Sequence, residues 1–277
     1  MDFSIIHYFS INRNVSRPPQ MEIIGLQTDI AWHDRGANLA RVTKMLEAAR
    51  PAPGALAVLP EMSMSGFSRD VAAATAGVSE TQAALAALAR HHGIAIMAGL
   101  ATRHDGCGAN ESVTFGPDGT ELARYRKLQP FSMARESEAY AAGNRIVTFQ
   151  WGGFTIAPFI CYDLRFPELF RAALDKGADL FAVIGNWPNR RHQHWVTLLR
   201  ARAIESLAVT IGVNRAGADP EFTYAGGSAI LGPQAEVLAE AGDAPGFIRE
   251  EISPSLVAEW RAHFPALRDR RRDIDTL

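Results

Sequence analysis

Short runs of almost wholly apolar residues recur along this chain at 55–59, 94–98, 154–160, 180–184 and 208–213. Each is too short for an ordinary helix, and none alternates polar with apolar as a half-exposed strand would. Continuous runs of this length, bounded by glycine, proline or charge, are expected of strands buried on both faces. Between them lie segments of helical period. Leu39, Val42, Met45, Leu46 and Ala49 share one face of a predicted helix over 38–50. Further helices are predicted over 81–90, stopped by Gly93, over 167–176, stopped by Gly177, and over 193–206. Strands alternating with helices place the chain in the α/β class.

Lesser signals complete the pattern. Strands are read at 22–27, 146–149, 228–231 and 247–251, and the turn residues Gly116-Pro117-Asp118-Gly119 join 112–115 to 121–125 as a hairpin. No linker or low-complexity tract divides residues 21–277, which are read as one domain. Residues 1–20 lack a basic leader followed by a small-residue cleavage site, so they read poorly as a signal peptide. They are expected to be a flexible extension or the product of an upstream start.

Bulk properties exclude several classes. Net charge is −2, so nothing electrostatic favours nucleic acid or an anionic membrane as a partner. No apolar run approaches the roughly 18 residues of a membrane span. Two cysteines without C-x-x-C spacing make no disulfide framework and suit a reduced, cytoplasmic setting. Gly106-Cys107-Gly108 is not a dinucleotide fingerprint. His91-His92 and His192-x-His194 lack a third metal ligand and are read as surface histidines. No metal and no cofactor are expected.

The chemistry-bearing residues cluster at strand ends. The run 154–160 leads straight into Cys161, followed by Tyr162-Asp163-Leu164-Arg165-Phe166-Pro167 and helix-forming residues. That order places a thiol on a strand-to-helix turn, clear of both elements, as in a nucleophile elbow. Glu61 lies just past the strand at 55–59, and Lys127 follows the hairpin. Open α/β sheets gather their ligand crevices at such C-terminal strand ends. A thiol, a carboxylate and an amine are enough for acyl transfer without a metal.

Leu59-Pro60-Glu61-Met62, Tyr125-Arg126-Lys127-Leu128 and the Cys161 run resemble, in this order, the three motifs of the nitrilase superfamily of carbon–nitrogen hydrolases. The resemblance extends from about Met21 to Arg271. It is nearest to bacterial omega-amidase-type members, through Asn186-Trp187-Pro188 and the helix 200–205 as well. It implies a four-layer α-β-β-α sandwich, paired into homodimers or larger homo-oligomers, and a triad of Glu61, Lys127 and Cys161. Cys161 would be the nucleophile and Glu61 the proton carrier. Lys127 and the backbone N–H of Tyr162 would form the oxyanion hole. A second glutamate is matched to Glu136, with Glu138 as the alternative. Arg165, Asn186 and Trp187 are candidate substrate contacts, although Arg165 could merely brace the turn and Trp187 could be core. Gln129 stands where the family usually has histidine.

The activity implied is hydrolysis of a small amide, an ω-amide of a dicarboxylic keto acid, to carboxylate and ammonia through a cysteine thioester. N-carbamoyl amino acid hydrolysis and nitrile hydrolysis are same-fold alternatives, and a catalytically silent binding protein is the alternative of another class.

Overall fold

A computed structural model describes residues 20–271 of the chain. The expectation for residues 1–20 thus lies outside the described residues, Gln20 apart. The chain begins with β1 (Met21–Gln27), α1 (Arg35–Ala49), β2 (Leu56–Val58), α2 (Val71–Thr75), α3 (Val78–His92), β3 (Ala95–His104), β4 (Cys107–Phe115) and β5 (Glu121–Arg126). It continues through β6 (Tyr140–Ala141), β7 (Phe149–Trp151), β8 (Phe154–Ile160), α4 (Pro167–Asp175), β9 (Leu180–Gly185), α5 (His192–Ser206) and β10 (Val209–Asn214). The last elements are β11 (Ala216–Ala218), β12 (Thr223–Ala225), β13 (Ala229–Leu231), β14 (Val237–Glu240), β15 (Gly246–Ile252) and α6 (Pro254–His263).

Two sheets carry the architecture. The first runs β15-β1-β2-β3-β4-β5, with β6 added beside β4, and the second runs β14-β13-β10-β9-β8-β7. The centre of each is parallel, β1-β2-β3 in one and β8-β9-β10 in the other, and the flanks are antiparallel. Five of the six strands in the parallel centres, β1 apart, are the apolar runs of the sequence, buried on both faces as the pattern requires.

Period-two alternation assigns the layers. In β1 and β2, Ile23, Leu56 and Val58 join the core shared with the second sheet. Their neighbours Ile24 and Ala57 face the opposite way, against Val42 and Leu46 of α1 and Leu85 and Ala89 of α3. On the far side of the second sheet, Phe170 of α4 and Trp195 and Leu199 of α5 close the larger core. The result is an α-β-β-α sandwich.

Local chemistry sets the boundaries. Asp34 caps α1 by accepting the N–H of Ala37 at 2.9 Å. Gly93 ends α3 in the left-handed conformation, and Pro167 occupies the first turn of α4. One expected strand is displaced. The segment 146–149 gives way to Phe149–Trp151, because Ile146 and Val147 pack on the core from an irregular stretch rather than by pairing. Among the described residues no helix is long and apolar enough to cross a membrane.

Candidate active site

Glu61 follows β2 after a two-residue step and is fully buried. The loop bearing it is pinned to β3, since the N–H and hydroxyl of Ser63 both donate to the carbonyl of Gly99, at 2.8 and 3.1 Å. Lys127 is the first residue after β5, its N–H held by the carbonyl of Asn110. Cys161 follows β8 directly, with φ +50°, on a tight turn spanning Cys161–Arg165. A left-handed conformation is strained for a residue with a side chain and persists only where the surroundings impose it.

Four side chains, those of Glu61, Lys127, Glu136 and Asn110, form one buried polar knot. The Lys127 ammonium donates to Glu61 Oε1 and to Glu136 Oε2, each at 2.8 Å. Asn110 ties the same two acids together, donating from Nδ2 to Glu61 Oε1 at 2.7 Å and to Glu136 Oε1 at 2.9 Å. Glu136 also accepts the N–H of Phe131 at 2.6 Å. Glu138, the alternative to Glu136, points away to an exposed pair with Arg135. Of the two glutamates, Glu136 is the one brought to Lys127.

The knot holds two negative charges against one positive. Burial works against the Lys127 ammonium, but Glu136 and Glu61 outweigh it and hold the amine well above its ordinary range. Burial pushes the Cys161 thiol well up, and the charge of Glu61 adds to that. Lys127 and the backbone N–H of Asn186, which donates to the sulfur, pull the other way. The resting state is therefore a neutral thiol beside a lysine ammonium. Such a thiol needs a base at the moment of attack.

A cavity of about 470 Å³ opens onto Glu61, Lys127 and Cys161. Asn186 lines it and donates from Nδ2 to the carbonyl of Glu61 at 2.8 Å and to Oε2 at 3.3 Å. Trp187 forms a wall and is buried against Trp195. The Arg165 guanidinium lies 4.8 Å over the Trp187 ring and contacts His194 Nδ1 at 3.0 Å. Tyr162 directs its ring onto Phe131 and Phe166. The Gln129 backbone N–H is tied to Asp163, so the link made here does not depend on the side chain at that position.

Asn110, Arg190 and Arg191 are not among the residues that the sequence marks for the site. Asn110 is an inward polar residue in a buried strand, a weak signal that only the fold makes legible. Arg190 stacks over Phe222 and Arg191 over Phe131, at 4.6 and 5.0 Å. Both line the cavity, and neither is paired with a carboxylate among the described residues.

The family model described as carbon–nitrogen hydrolase matches residues 20–262. The chain belongs to the carbon–nitrogen hydrolase family. It is 37% identical to omega-amidase YafV of Escherichia coli over 91% of this chain and 97% of that one. It is 34% identical to the 2-oxoglutaramate amidase of Bacillus subtilis over 90% and 97%. The crystal structure of XC1258 from Xanthomonas campestris, a CN-hydrolase superfamily protein with an arsenic adduct in its active site, superposes with a TM-score of 0.85. Its identity to this chain is 33%, over 91% of this chain and 97% of that one. This carbon–nitrogen hydrolase is accordingly an enzyme of non-peptide amide bonds, an amidohydrolase acting on a small molecule, and the silent-scaffold alternative is set aside.

Proposed function

We propose that this amidohydrolase cleaves the ω-amide of a small dicarboxylic keto acid, of the 2-oxoglutaramate kind, through a thioester on Cys161. Glu61 takes the Sγ proton as sulfur attacks the amide carbon, and the carbonyl π pair moves onto oxygen. Lys127 and the N–H of Tyr162 stabilise that oxyanion; one such donor is typically worth about 3–4 kcal/mol. Collapse expels the amide nitrogen, which leaves as ammonia with the proton from Glu61. Water then attacks the thioester, Glu61 removes its proton, and the second collapse returns carboxylate product and reprotonated thiol. Glu136 and Asn110 keep Glu61 and Lys127 in register throughout.

The observation that carries the substrate reading is the cluster of guanidinium groups of Arg165, Arg190 and Arg191 on the cavity wall, which Arg69 also lines. Arg191 is half-buried; burial and the neighbouring Arg190 work against its guanidinium charge, and a charge on Cys161 would favour it. Cations left without acid partners beside a nucleophile are suited to hold a substrate carboxylate, and the arginine fork matches that group bidentately. Neither nitrile nor neutral amide hydrolysis calls for such a set. The names of the omega-amidase and 2-oxoglutaramate amidase relatives point the same way. The reading extends to a cytoplasmic enzyme of residues 21–277 as one domain, assembling as a homodimer or larger homo-oligomer.

The test is ammonia release from 2-oxoglutaramate, its uncharged ester, N-carbamoyl amino acids and nitriles, in wild type, Arg165→Met and Arg191→Met. A hydrogen bond to a charged group contributes roughly 1.5–3 kcal/mol, so losing the anchor costs about 10- to 100-fold in kcat/KM for the acid and little for the ester. Equal handling of acid and ester by wild type would refute carboxylate recognition. Preference retained in both variants would move the anchor to Arg190 or Arg69.

A further inference from the structure

Asp163 is fully buried, two residues beyond the nucleophile, and takes no part in the chemistry set out above. Its carboxylate binds three donors from two parts of the chain. Oδ2 accepts the hydroxyl of Tyr125 at 2.8 Å and the N–H of Ile160 at 2.9 Å. Oδ1 accepts the N–H of Gln129 at 2.9 Å. Ile160 is the last residue of β8, immediately before Cys161. Tyr125 and Gln129 flank Lys127, two residues before it and two after. Tyr125 and Lys127 also share one face of β5 and its extension, by the period of a strand.

We propose that Asp163 is a positioning residue that fixes the spacing between the Cys161 thiol and the Lys127 ammonium, by clamping the strand end that delivers one and both flanks of the segment that delivers the other. Each bond has a reason to be there. The strained left-handed backbone of Cys161 needs an external restraint, and the bond to the Ile160 N–H is adjacent to it. Lys127 is the first residue past β5, where the ladder ends on the bond from its N–H to the carbonyl of Asn110. The carboxylate fixes the residues two before and two after that point.

Burial drives the Asp163 carboxyl up, to about 7, while the Ile160 N–H, the Lys127 ammonium, the Tyr125 hydroxyl and the Gln129 N–H favour its charged form. A buried acid is a costly way to hold two segments, and a residue serving packing alone would be apolar. The clamp concerns the general reaction, and it rests on the catalytic roles proposed for Lys127 and Cys161 but not on the substrate assigned.

The experiment compares Asp163→Asn, Tyr125→Phe, Lys127→Ala and the double variant Asp163→Asn/Lys127→Ala, each measured well below its melting temperature and per folded molecule. The asparagine is isosteric, but its NH2 must face one of the two backbone N–H donors, so at least one clamp bond is lost. A misplacement of about 1 Å costs on the order of 100-fold. The expected result for Asp163→Asn is therefore a kcat lower by about that factor, with KM nearly unchanged. Tyr125→Phe, which keeps both backbone bonds, is expected to lose less. The double variant is expected to fall little below Lys127→Ala alone, since two changes acting on one element do not add. Should Asp163→Asn fail to fold, Tyr125→Phe against Tyr125→Phe/Lys127→Ala makes the same comparison. A kcat within about threefold of wild type in the folded variant, or losses that multiply in full with that of Lys127→Ala, overturns the proposal. Loss of all activity in Lys127→Ala and Cys161→Ala is not required for that outcome, so failure of the clamp is distinguishable from failure of the mechanism.

Discussion

The ammonium of Lys127 lies 2.8 Å from Glu61 Oε1, with the two side chains 2% and 0% exposed. Water screens neither charge, so the pair is electrostatically strong and correspondingly costly to bury. Hydrophobic residues of the same volume would hold the strand ends together at least as well. What the pair supplies is a proton carrier and a fixed cation within reach of one thiol. Glu136 takes a second bond from the Lys127 ammonium, and Asn110 ties the two acids together.

Lys127→Ala should lower kcat by about 100- to 1,000-fold, the loss typical of one oxyanion donor. It should also destabilise the fold by about 3–5 kcal/mol, because Glu61 and Glu136 are left as a buried pair of like acids. Lys127→Arg should rescue poorly, since a planar fork does not fit where a point charge sits between two carboxylates. Steady-state kinetics with urea melts measure both effects. Near-normal kcat in either variant would remove the lysine from the reaction.

Cys161→Ala should abolish turnover and leave the fold intact, while Cys107→Ala should keep most activity. Cys107 is exposed at the start of β4, on a hairpin outside the cavity. Mass spectrometry of protein quenched during turnover should find the acyl adduct on the peptide bearing Cys161. Substantial activity in Cys161→Ala would be incompatible with a thioester at this site.

Much of this was legible because sequence and site share the same strand ends. The run 154–160 is read from its apolar continuity and is observed as Phe154–Ile160, so the position of Cys161 followed at once. The hairpin β11–β12 was not legible. Ala216-Gly217-Ala218 has no β-branched residue, and the segment is held by distant partners: Arg215 reaches the carbonyl of Ile30, and Asp29 bridges to Ala216. α6 is not among the expected helices, although Ser253 before Pro254 is a serviceable start signal. Asn110 and Arg191 needed the fold itself, since Asn110 reaches Glu61 across 49 positions of sequence. Arg191 gains its significance from the cavity it lines.

Asp163 makes stability depend on pH in a direction that can be worked out. Its folded carboxyl is raised to about 7 from an ordinary 3.8. The folded protein therefore binds this proton more tightly than the unfolded chain does. The stabilising share is present below about pH 4 and is lost as pH rises toward 7, on the order of a few kcal/mol across that window. Asparagine does not titrate. The melting-temperature difference, wild type minus Asp163→Asn, should thus fall between pH 5 and 7.5. A difference flat across that range would show that the group is already ionised at pH 5.

Gly99 is where the fold meets the proposed base most closely. A Cβ there would stand 2.5 Å from the carbonyl oxygen of Pro60 and 2.6 Å from the Cα of Glu61. Both are backbone atoms, so no rotamer change relieves the contact. The loop cannot simply retreat, because Ser63 fastens it to the carbonyl of the same glycine. Gly99→Ala should therefore shift Glu61 against Lys127 and Asn110, costing about 1–3 kcal/mol of stability as an overpacked core does. The kinetic effect should be larger than that cost suggests. Displacing the base by a fraction of an ångström to 1 Å lowers kcat by about 10- to 100-fold, with KM moving less. Gly36→Ala, whose Cβ meets only Asp34 Oδ1 at 3.7 Å, serves as the control. If Gly99→Ala folds stably and turns over like wild type, the loop has more freedom than its hydrogen bonds imply, and Glu61 is not held by β3.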